Sequence, residues 1–228
     1  MNQKVSLSVI IPVRNEEEHL PILLTALQKQ KSDTTEIIVI DGCSDDNTLN
    51  VICHKKNHVL HSESGRAKQM NVGARYARGN YLWFVHADST IDFDFETIIE
   101  TALQNRNWGW FDVRLDNQKL IFRVIESMMN FRARVTRIAT GDQGIFIRKD
   151  NFLEQGLFPS IALMEDVSFS KKLKAIGKPF VSNIRIKTST RRWEHYGPIR
   201  TIFKMWSLRL LFFFGVSPDW LNDQYKKS

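Results

Sequence analysis

YLWFVHADSTID, residues 81–92, carries an apolar run of strand character, Tyr81 to Val85, that reaches an aspartate, Asp88, almost at once. An aspartate after a strand is uninformative alone, because turns favour it. Its meaning depends on whether other strands end the same way. EIIVID (36–41) does, closing on Asp41 before GCSDDNT. LSVIIPV (7–13) and the weaker HVLHS (58–62) are further strand-like runs, rich in Val, Ile and Leu. Between them, residues 17–30 place Leu20, Leu23, Leu24 and Leu27 on one helical face, and 66–78 read as a second helix. Such alternation predicts a parallel sheet covered by helices, with ligands at the carboxyl ends of its strands. Asp41 and Asp88 then project at one rim. Asp45, Asp46 and Asn47 have a competing use as caps of a helix starting near Thr48.

The second half changes character. Residues 108–115, 144–148 and 179–189 read as strands, 120–135 as a helix, and 161–177 as a helix ended by Gly177. No repeat or linker interrupts the chain, so the reading is one α/β domain over 1–228. It comprises a nucleotide half over 1–105, a second half built onto it over 106–196, and a C-terminal amphipathic helix and tail over 197–228.

Composition narrows the partners. At 43% apolar and 25% charged, the 228 residues are those of a soluble globular protein with a sizeable core. Cys43 and Cys53 have no second cysteine pair or histidine spacing, which argues against zinc and for inert thiols in a reduced compartment. The N-terminal apolar stretch is short, broken by Ser8 and Pro12, and lacks a cleavage site, so a cytoplasmic location is expected. Between Arg185 and Arg209 stand Arg185, Lys187, Arg191, Arg192, Arg200, Lys204 and Arg209 against one acid, Glu194. Phosphate-rich small molecules or an anionic membrane surface fit this segment. Nucleic acid ranks last, because no zinc finger or RNA-binding signature accompanies it.

SVIIPVRNEEEHL, VIDGCSDDNT, GRAKQMNVGARYARG, FVHAD, GDQGIFIR and LMEDVSFSKKL stand in the order and spacing of the family 2 glycosyltransferases, which the chain resembles from about residue 6 to 196. More narrowly, HAD, GDQG, MED and TSTRRWEHYG resemble a small stand-alone bacterial branch labelled as arsenosugar biosynthesis glycosyltransferases. The resemblance implies a GT-A fold: a Rossmann-like, mostly parallel central sheet flanked by helices, with a nucleotide diphosphate sugar across the strand ends. It implies transfer of one sugar to a hydroxyl acceptor with inversion, assisted by Mg²⁺ or Mn²⁺. Hard oxygen ligands suit those ions, and a bound ion would offset charge on the departing diphosphate. Asp88 is the metal-ligand candidate. The family commonly shows Asp-x-Asp where this chain has His86-Ala87-Asp88, so His86 is open to three uses: a hydrogen bond to phosphate or sugar, a share in the metal, or packing.

By the same resemblance Pro12, Arg14 and Glu16 border the nucleotide, and Asp41 contacts the base or ribose. Glu16 has the alternative of a first-turn helix acid. Arg66, at a helix N-terminus, and Lys68 are diphosphate candidates; Gly73 and Ala77 let that helix approach the sheet. Asp166 is the implied general base, with Glu165 orienting the acceptor, although an acidic pair could simply cap its helix. Gly141, Asp142 and Gln143 belong to the acceptor side or to ordinary turn chemistry. In STRRWEHYG, Ser189 replaces the glutamine of the processive members, which speaks against polymer synthesis. Arg191 and Arg192 are left to cover the diphosphate, and Trp193 to stack on a sugar or fill the core.

Two rival readings carry less. A nucleotidyltransferase needs a Gly-rich basic loop where PVRNEEEHL stands, and a non-catalytic nucleotide-sugar binder or membrane-associated partner of another enzyme would show neither transfer nor donor hydrolysis. Residues 199–216 are too broken by Arg200, Lys204 and Arg209 to span a bilayer, yet too apolar for one helix face. Two explanations stand: a helix lying in an anionic membrane interface at the inner face of the cell membrane, delivering the site to a lipid-linked acceptor, or packing against the catalytic half or a second subunit as a homodimer.

Overall fold

The computed structural model describes residues 4–53 and 57–227. In chain order β1 (Leu7–Val13), α1 (Leu20–Gln30), β2 (Thr35–Asp41), α2 (Thr48–Cys53), β3 (His58–His61), α3 (Arg66–Tyr76) and β4 (Tyr81–Phe84) alternate as expected. β1 pairs in parallel with both β2 and β4, and β2 with β3. There follow β5 (Ser89–Thr90), α4 (Phe95–Asn105), β6 (Trp108–Leu115), α5 (Leu120–Thr136), β7 (Phe146–Arg148), α6 (Lys149–Glu154), α7 (Glu165–Leu173) and β8 (Phe180–Thr188). The chain closes with α8 (Arg191–Tyr196), α9 (Pro198–Phe213) and α10 (Pro218–Lys226). All strands join one sheet in the order β3-β2-β1-β4-β7-β6-β8-β5. β7 runs antiparallel to both neighbours, β6 is parallel to β8, and β5 closes the edge antiparallel to β8.

Strand period two divides the core between the two faces of this sheet. Leu7, Val9, Ile11 and Val13 join Trp83 and Val85 under α1 and α4, whereas Ile10, Ile38, Ile40, Leu82 and Phe84 face α3, α6 and α7. The leucines of α1 at positions 20, 23, 24 and 27 are fully buried. Each contributes about 1.5–3 kcal/mol by leaving water. On the opposite face Gly73 lets α3 lie against the sheet. A Cβ there would come within 2.6 Å of Ile40 and 2.8 Å of Ile10.

Several elements depart from expectation. α4 is an unforeseen helix whose N-cap Asp94 accepts from the Thr97 N–H at 3.1 Å, with Phe95, Ile99, Ala102 and Leu103 buried beneath it. The helix expected over 161–177 begins only at Glu165, because Met164 adopts a left-handed conformation with φ of 69°. The expected single C-terminal helix and tail is two helices. Gly215, with φ of 85°, breaks the chain between α9 and α10, and α10 folds back to bury Leu221. Cys43 carries a free, exposed thiol; the side chain of Cys53 lies outside the described residues. Among the described residues, no helix is long and apolar enough to cross a membrane.

Candidate active site

β1, β2 and β4 deliver their carboxyl ends to one rim, where a cavity of about 470 Å³ opens beside the N-terminus of α3. Pro12, Arg14, Glu16, Arg66 and Lys68, all expected on the donor side, line it. α10 adds Asp219, Asn222 and Lys226 to the wall, a contribution no motif or periodicity announced. Gln69 was also missed. Its side-chain amide donates to the carbonyls of Val13 at 2.7 Å and Ile40 at 2.8 Å, tying α3 to the ends of β1 and β2.

The loops after β1 and β2 are laced together. Arg14 donates to the Ser64 hydroxyl at 2.7 Å, the Asn15 N–H to the Ser44 hydroxyl at 3.0 Å, and the Glu16 N–H to the Thr48 hydroxyl at 2.8 Å. Asp46 takes the capping use, accepting from the N–H groups of Thr48 at 2.9 Å and Glu17 at 3.3 Å. Asp41 is buried, and its carboxylate accepts from the backbone of Cys43 and Ser44. It therefore shapes its own loop and is absent from the cavity lining. Three residues other than glycine hold positive φ at this rim: Asn15 at 56°, Cys43 at 64° and Met164 at 69°. Such strain, about 1–3 kcal/mol each, persists only where the surroundings over-determine it.

Past β4, Asp88 lies half-buried, and its charge reaches Glu16. Burial raises the Glu16 pKa, Asp88 raises it further, and Arg191, His19 and His86 only partly offset this. Glu16 Oε2 is buried without a hydrogen-bond partner. Two carboxylates whose charges act on one another under these conditions suit a divalent cation. Among the described residues no three acids, histidines or cysteines cluster into a complete cage. Ions bound with substrate phosphates take one or two protein carboxylates and are completed by phosphate oxygens and water. Asp88 and Glu16 would hold such an ion.

The candidate base stands behind this rim. A small second cavity of about 10 Å³ is lined by Arg66, His86, Gly141, Glu165 and Asp166, among others, so Arg66 borders both spaces. Asp166 Oδ2 accepts from the Gly141 N–H at 2.8 Å and Oδ1 from the Val167 N–H at 2.6 Å. Glu165 is buried 3.7 Å from Arg66. Burial and the adjacent Asp166 raise the Glu165 pKa against the pull of Arg66. His86 Nδ1 lies 3.2 Å from Asp142 Oδ1. Burial opposes ionisation of Asp142, but the His86 contact, with Arg66 and Arg209, outweighs it and holds the carboxyl below its usual range.

The remaining expected residues divide. Gly141 and Asp142 meet His86 at the site, whereas Gln143 is fully buried and its Oε1 accepts from the Thr140 N–H at 3.1 Å, bracing the turn. Arg191 reaches Glu16 at 4.0 Å from an exposed position. Lys68 pairs with Glu63 at 2.6 Å. Arg192 stacks 3.4 Å over the Tyr225 ring and donates to the Tyr225 carbonyl at 2.8 Å, so its guanidinium fastens α10 where diphosphate contact was expected. Trp193 packs with Phe122, Ile125 and Ile202, the core-filling alternative, away from the lining of either cavity.

Residues 8–158 match the family described as Glycosyl transferase family 2. A protein described as an uncharacterized glycosyltransferase from Haemophilus influenzae is 27% identical over 186 residues, 73% of this chain and 61% of its own length. The structure of S. aureus TarS 1–349 in complex with UDP superposes with a TM-score of 0.68 at 21% identity, covering 81% of this chain and 60% of that one. A mannosyltransferase from Pyrobaculum calidifontis in complex with GDP-Man and Mn²⁺ gives a TM-score of 0.63 at 18% identity, covering 81% and 57%. The chain thus spans about three fifths of the length of each, and the two solved structures share its fold.

Proposed function

This chain belongs to glycosyl transferase family 2, and from that premise we propose that it moves one sugar from a nucleotide diphosphate sugar to a hydroxyl acceptor, inverting the sugar carbon. The observation that carries the reading is the position of Arg66 between the 470 Å³ cavity and the Asp166 recess. A diphosphate in the larger space meets Arg66 and Lys68 at the N-terminus of α3, where backbone N–H groups and the helix dipole favour anions. The transferred sugar then points toward Asp166. The bound UDP of one structural neighbour and the GDP-Man of another support a nucleotide donor.

Asp166 takes the proton of the acceptor hydroxyl as its oxygen forms the new bond to the sugar carbon. The bond from that carbon to the diphosphate oxygen breaks on the opposite face, and the nucleotide leaves as its diphosphate. One base and in-line attack give inversion. The Gly141 and Val167 N–H groups hold the Asp166 carboxylate in place, and Arg66 takes up charge on the departing diphosphate. A divalent cation at Asp88 and Glu16, when bound, supplies Lewis-acid stabilisation of the same leaving group.

α5 and α9 add a place of work. Leu120, Val124, Met128, Phe131 and Val135 form one exposed apolar stripe, and Ile199, Phe203, Trp206, Leu210 and Phe213 another. Ile202 packs against Phe122 and Ile125, so the two helices lie side by side. The acid of α5, Glu126, is buried, α9 has none, and each helix carries three basic residues. Apolar stripes without exposed acids suit the surface of an anionic membrane, and on its inner side α9 packs Leu208 with Met164 and Val167, which flank Glu165 and Asp166.

The test is direct. Purified protein is incubated with UDP-, GDP- and dTDP-sugars with and without Mn²⁺, and thermal shift and release of nucleotide diphosphate are followed. A cognate nucleotide at 100 times its Kd stabilises by about 2.7 kcal/mol. No shift and no release with any of them would remove the reading.

A further inference from the structure

Arg132 of α5 and Arg209 of α9 point inward, away from the apolar stripes, and neither has an ion-pair partner among the described residues. Arg132 donates to the Ile138 carbonyl at 3.3 Å. Ile138 packs in the same cluster as Leu208, Met164 and Val167 at the start of α7, and the charges of Arg132 and Arg209 both reach Asp166 and Asp142. Arg132 Nη2 and Arg209 Nε are buried with no hydrogen-bond partner. Burial and the like charge of Arg209 pull the Arg132 pKa down to about 10, against Asp166 and Asp142. Burial lowers the Arg209 pKa as well.

Two half-buried guanidiniums that repel each other and leave buried N–H groups unmade are costly in a resting protein. The charges of Asp166 and Asp142 offset this only in part, and neither acid gives these N–H groups a hydrogen bond. Asp166 is occupied by the Gly141 and Val167 N–H groups, and Asp142 by His86. A ligand with about two negative charges and several acceptor oxygens answers both deficits, which is the chemistry of a phosphate monoester. Resting on the glycosyltransferase reading, we propose that Arg132 and Arg209 hold a phosphate group carried by the acceptor and so present its hydroxyl to Asp166. A neutral sugar or alcohol leaves the arginines unsatisfied. The phosphate comes either from a lipid phosphate or from a soluble sugar phosphate, and ligand binding can tell these apart.

The full chain is titrated by calorimetry with inorganic phosphate, citronellyl phosphate, glucose 6-phosphate, citronellol and glucose. Titrations are run alone and with whichever of UDP, GDP or dTDP gives a thermal shift. Direct binding needs no turnover, so this result is separable from failure of the transferase reading, which shows as the absence of any nucleotide shift. The expected result is binding of at least one phosphate ester and of neither uncharged counterpart. R132Q and R209Q should each weaken it by about tenfold or more, the loss of one charge-assisted contact, while nucleotide affinity stays within about twofold. R132K and R209K, which keep the charge and lose the fork, should weaken it less and keep the wild-type circular dichroism. Citronellyl phosphate has no hydroxyl outside its phosphate and serves as a binding probe alone: preference for it identifies a lipid-borne phosphate, and preference for glucose 6-phosphate a soluble one. Failure of every phosphate compound to bind, equal binding of the uncharged compounds, undiminished binding in all four variants, or loss of nucleotide affinity in place of phosphate affinity overturns the proposal.

Discussion

The backbone N–H of Gly141 donates to Asp166 Oδ2 at 2.8 Å. Two motifs far apart in the chain are thereby one device, and the carboxylate has an orientation before any acceptor arrives. Asp166→Asn keeps an oxygen for the Gly141 N–H, turns its amide nitrogen toward the Val167 N–H and removes the proton acceptor. Transfer should fall by roughly 10²- to 10⁴-fold, with nucleotide affinity near that of the parent and a stability loss of about 1–3 kcal/mol for the lost backbone contact. Initial rates and calorimetry check this. Turnover within about tenfold of the parent would assign the base elsewhere.

Gly141 also has His86 against its α-carbon. A Cβ at that position would lie 2.4 Å from two His86 ring atoms, closer than real Cβ contacts allow. Gly141→Ala should therefore push His86 off Asp142, lower transfer and cost about 1–3 kcal/mol of stability. Rates and urea unfolding of the variant report the two effects separately. An unchanged rate with an unchanged midpoint would mean that the turn yields freely.

Asp88 and Glu16 repel one another across a half-buried space. Removing one acid removes the reason for a cation to bind there. Asp88→Ala should abolish the Mn²⁺ dependence of nucleotide binding and leave metal-free affinity largely intact. Calorimetry with and without Mn²⁺ decides, and persistent full metal dependence would exclude Asp88 as a ligand.

The nucleotide half was legible because its strands show period-two apolar runs and its helices clear leucine or small-residue faces, so β1 to β4 and Gly73 follow from local pattern. What escaped depends on tertiary neighbours. Met164 ends in a left-handed conformation that no side-chain preference predicts, and this delays α7. Gln143 has the polarity of a binding residue, yet it is fully buried and its Oε1 is taken by the Thr140 N–H. Arg192 belongs to a basic run that suggests phosphate, but α10 folds back over it and Tyr225 claims the guanidinium. Arg132 and Arg209 each sit in an amphipathic helix as ordinary basic residues, and only the packing of α5 on α9 turns both inward.

Glu36 offers a test of the fold apart from the site. Its buried carboxylate accepts from Ser8 Oγ at 2.6 Å, the Arg78 N–H at 2.6 Å and Arg78 Nε at 2.9 Å. Burial opposes ionisation, but the Ser8 and Arg78 hydrogen bonds outweigh it and depress the pKa. A depressed folded pKa contributes stability that is present above the unfolded value, about 4.3, and is lost as pH falls through the folded one. Glu36→Gln should therefore be less stable than the parent at pH 7, by about 1–3 kcal/mol. The gap should narrow as pH drops below about 4.3. Urea midpoints across this range measure it; a gap independent of pH would deny Glu36 the linkage.

The exposed faces of α5 and α9 predict membrane behaviour that can be separated from folding. Phe131 is 70% exposed, Phe203 66% and Phe213 72%, whereas Phe212 packs inward with Leu208 and Met164. Charges placed on the first two should therefore spare the core, while a charge at Phe212 would not. Liposomes of phosphatidylglycerol and phosphatidylcholine should sediment the wild-type chain, and binding should weaken with salt as basic residues near the surface, each worth about 1 kcal/mol, are screened. Phe131→Glu with Phe203→Glu should abolish co-sedimentation while circular dichroism and nucleotide affinity persist. A second copy of the chain on the same faces predicts instead a dimer in sedimentation velocity that the double variant dissociates. Monomeric protein that ignores vesicles of every composition would leave both stripes without a partner and withdraw the membrane assignment.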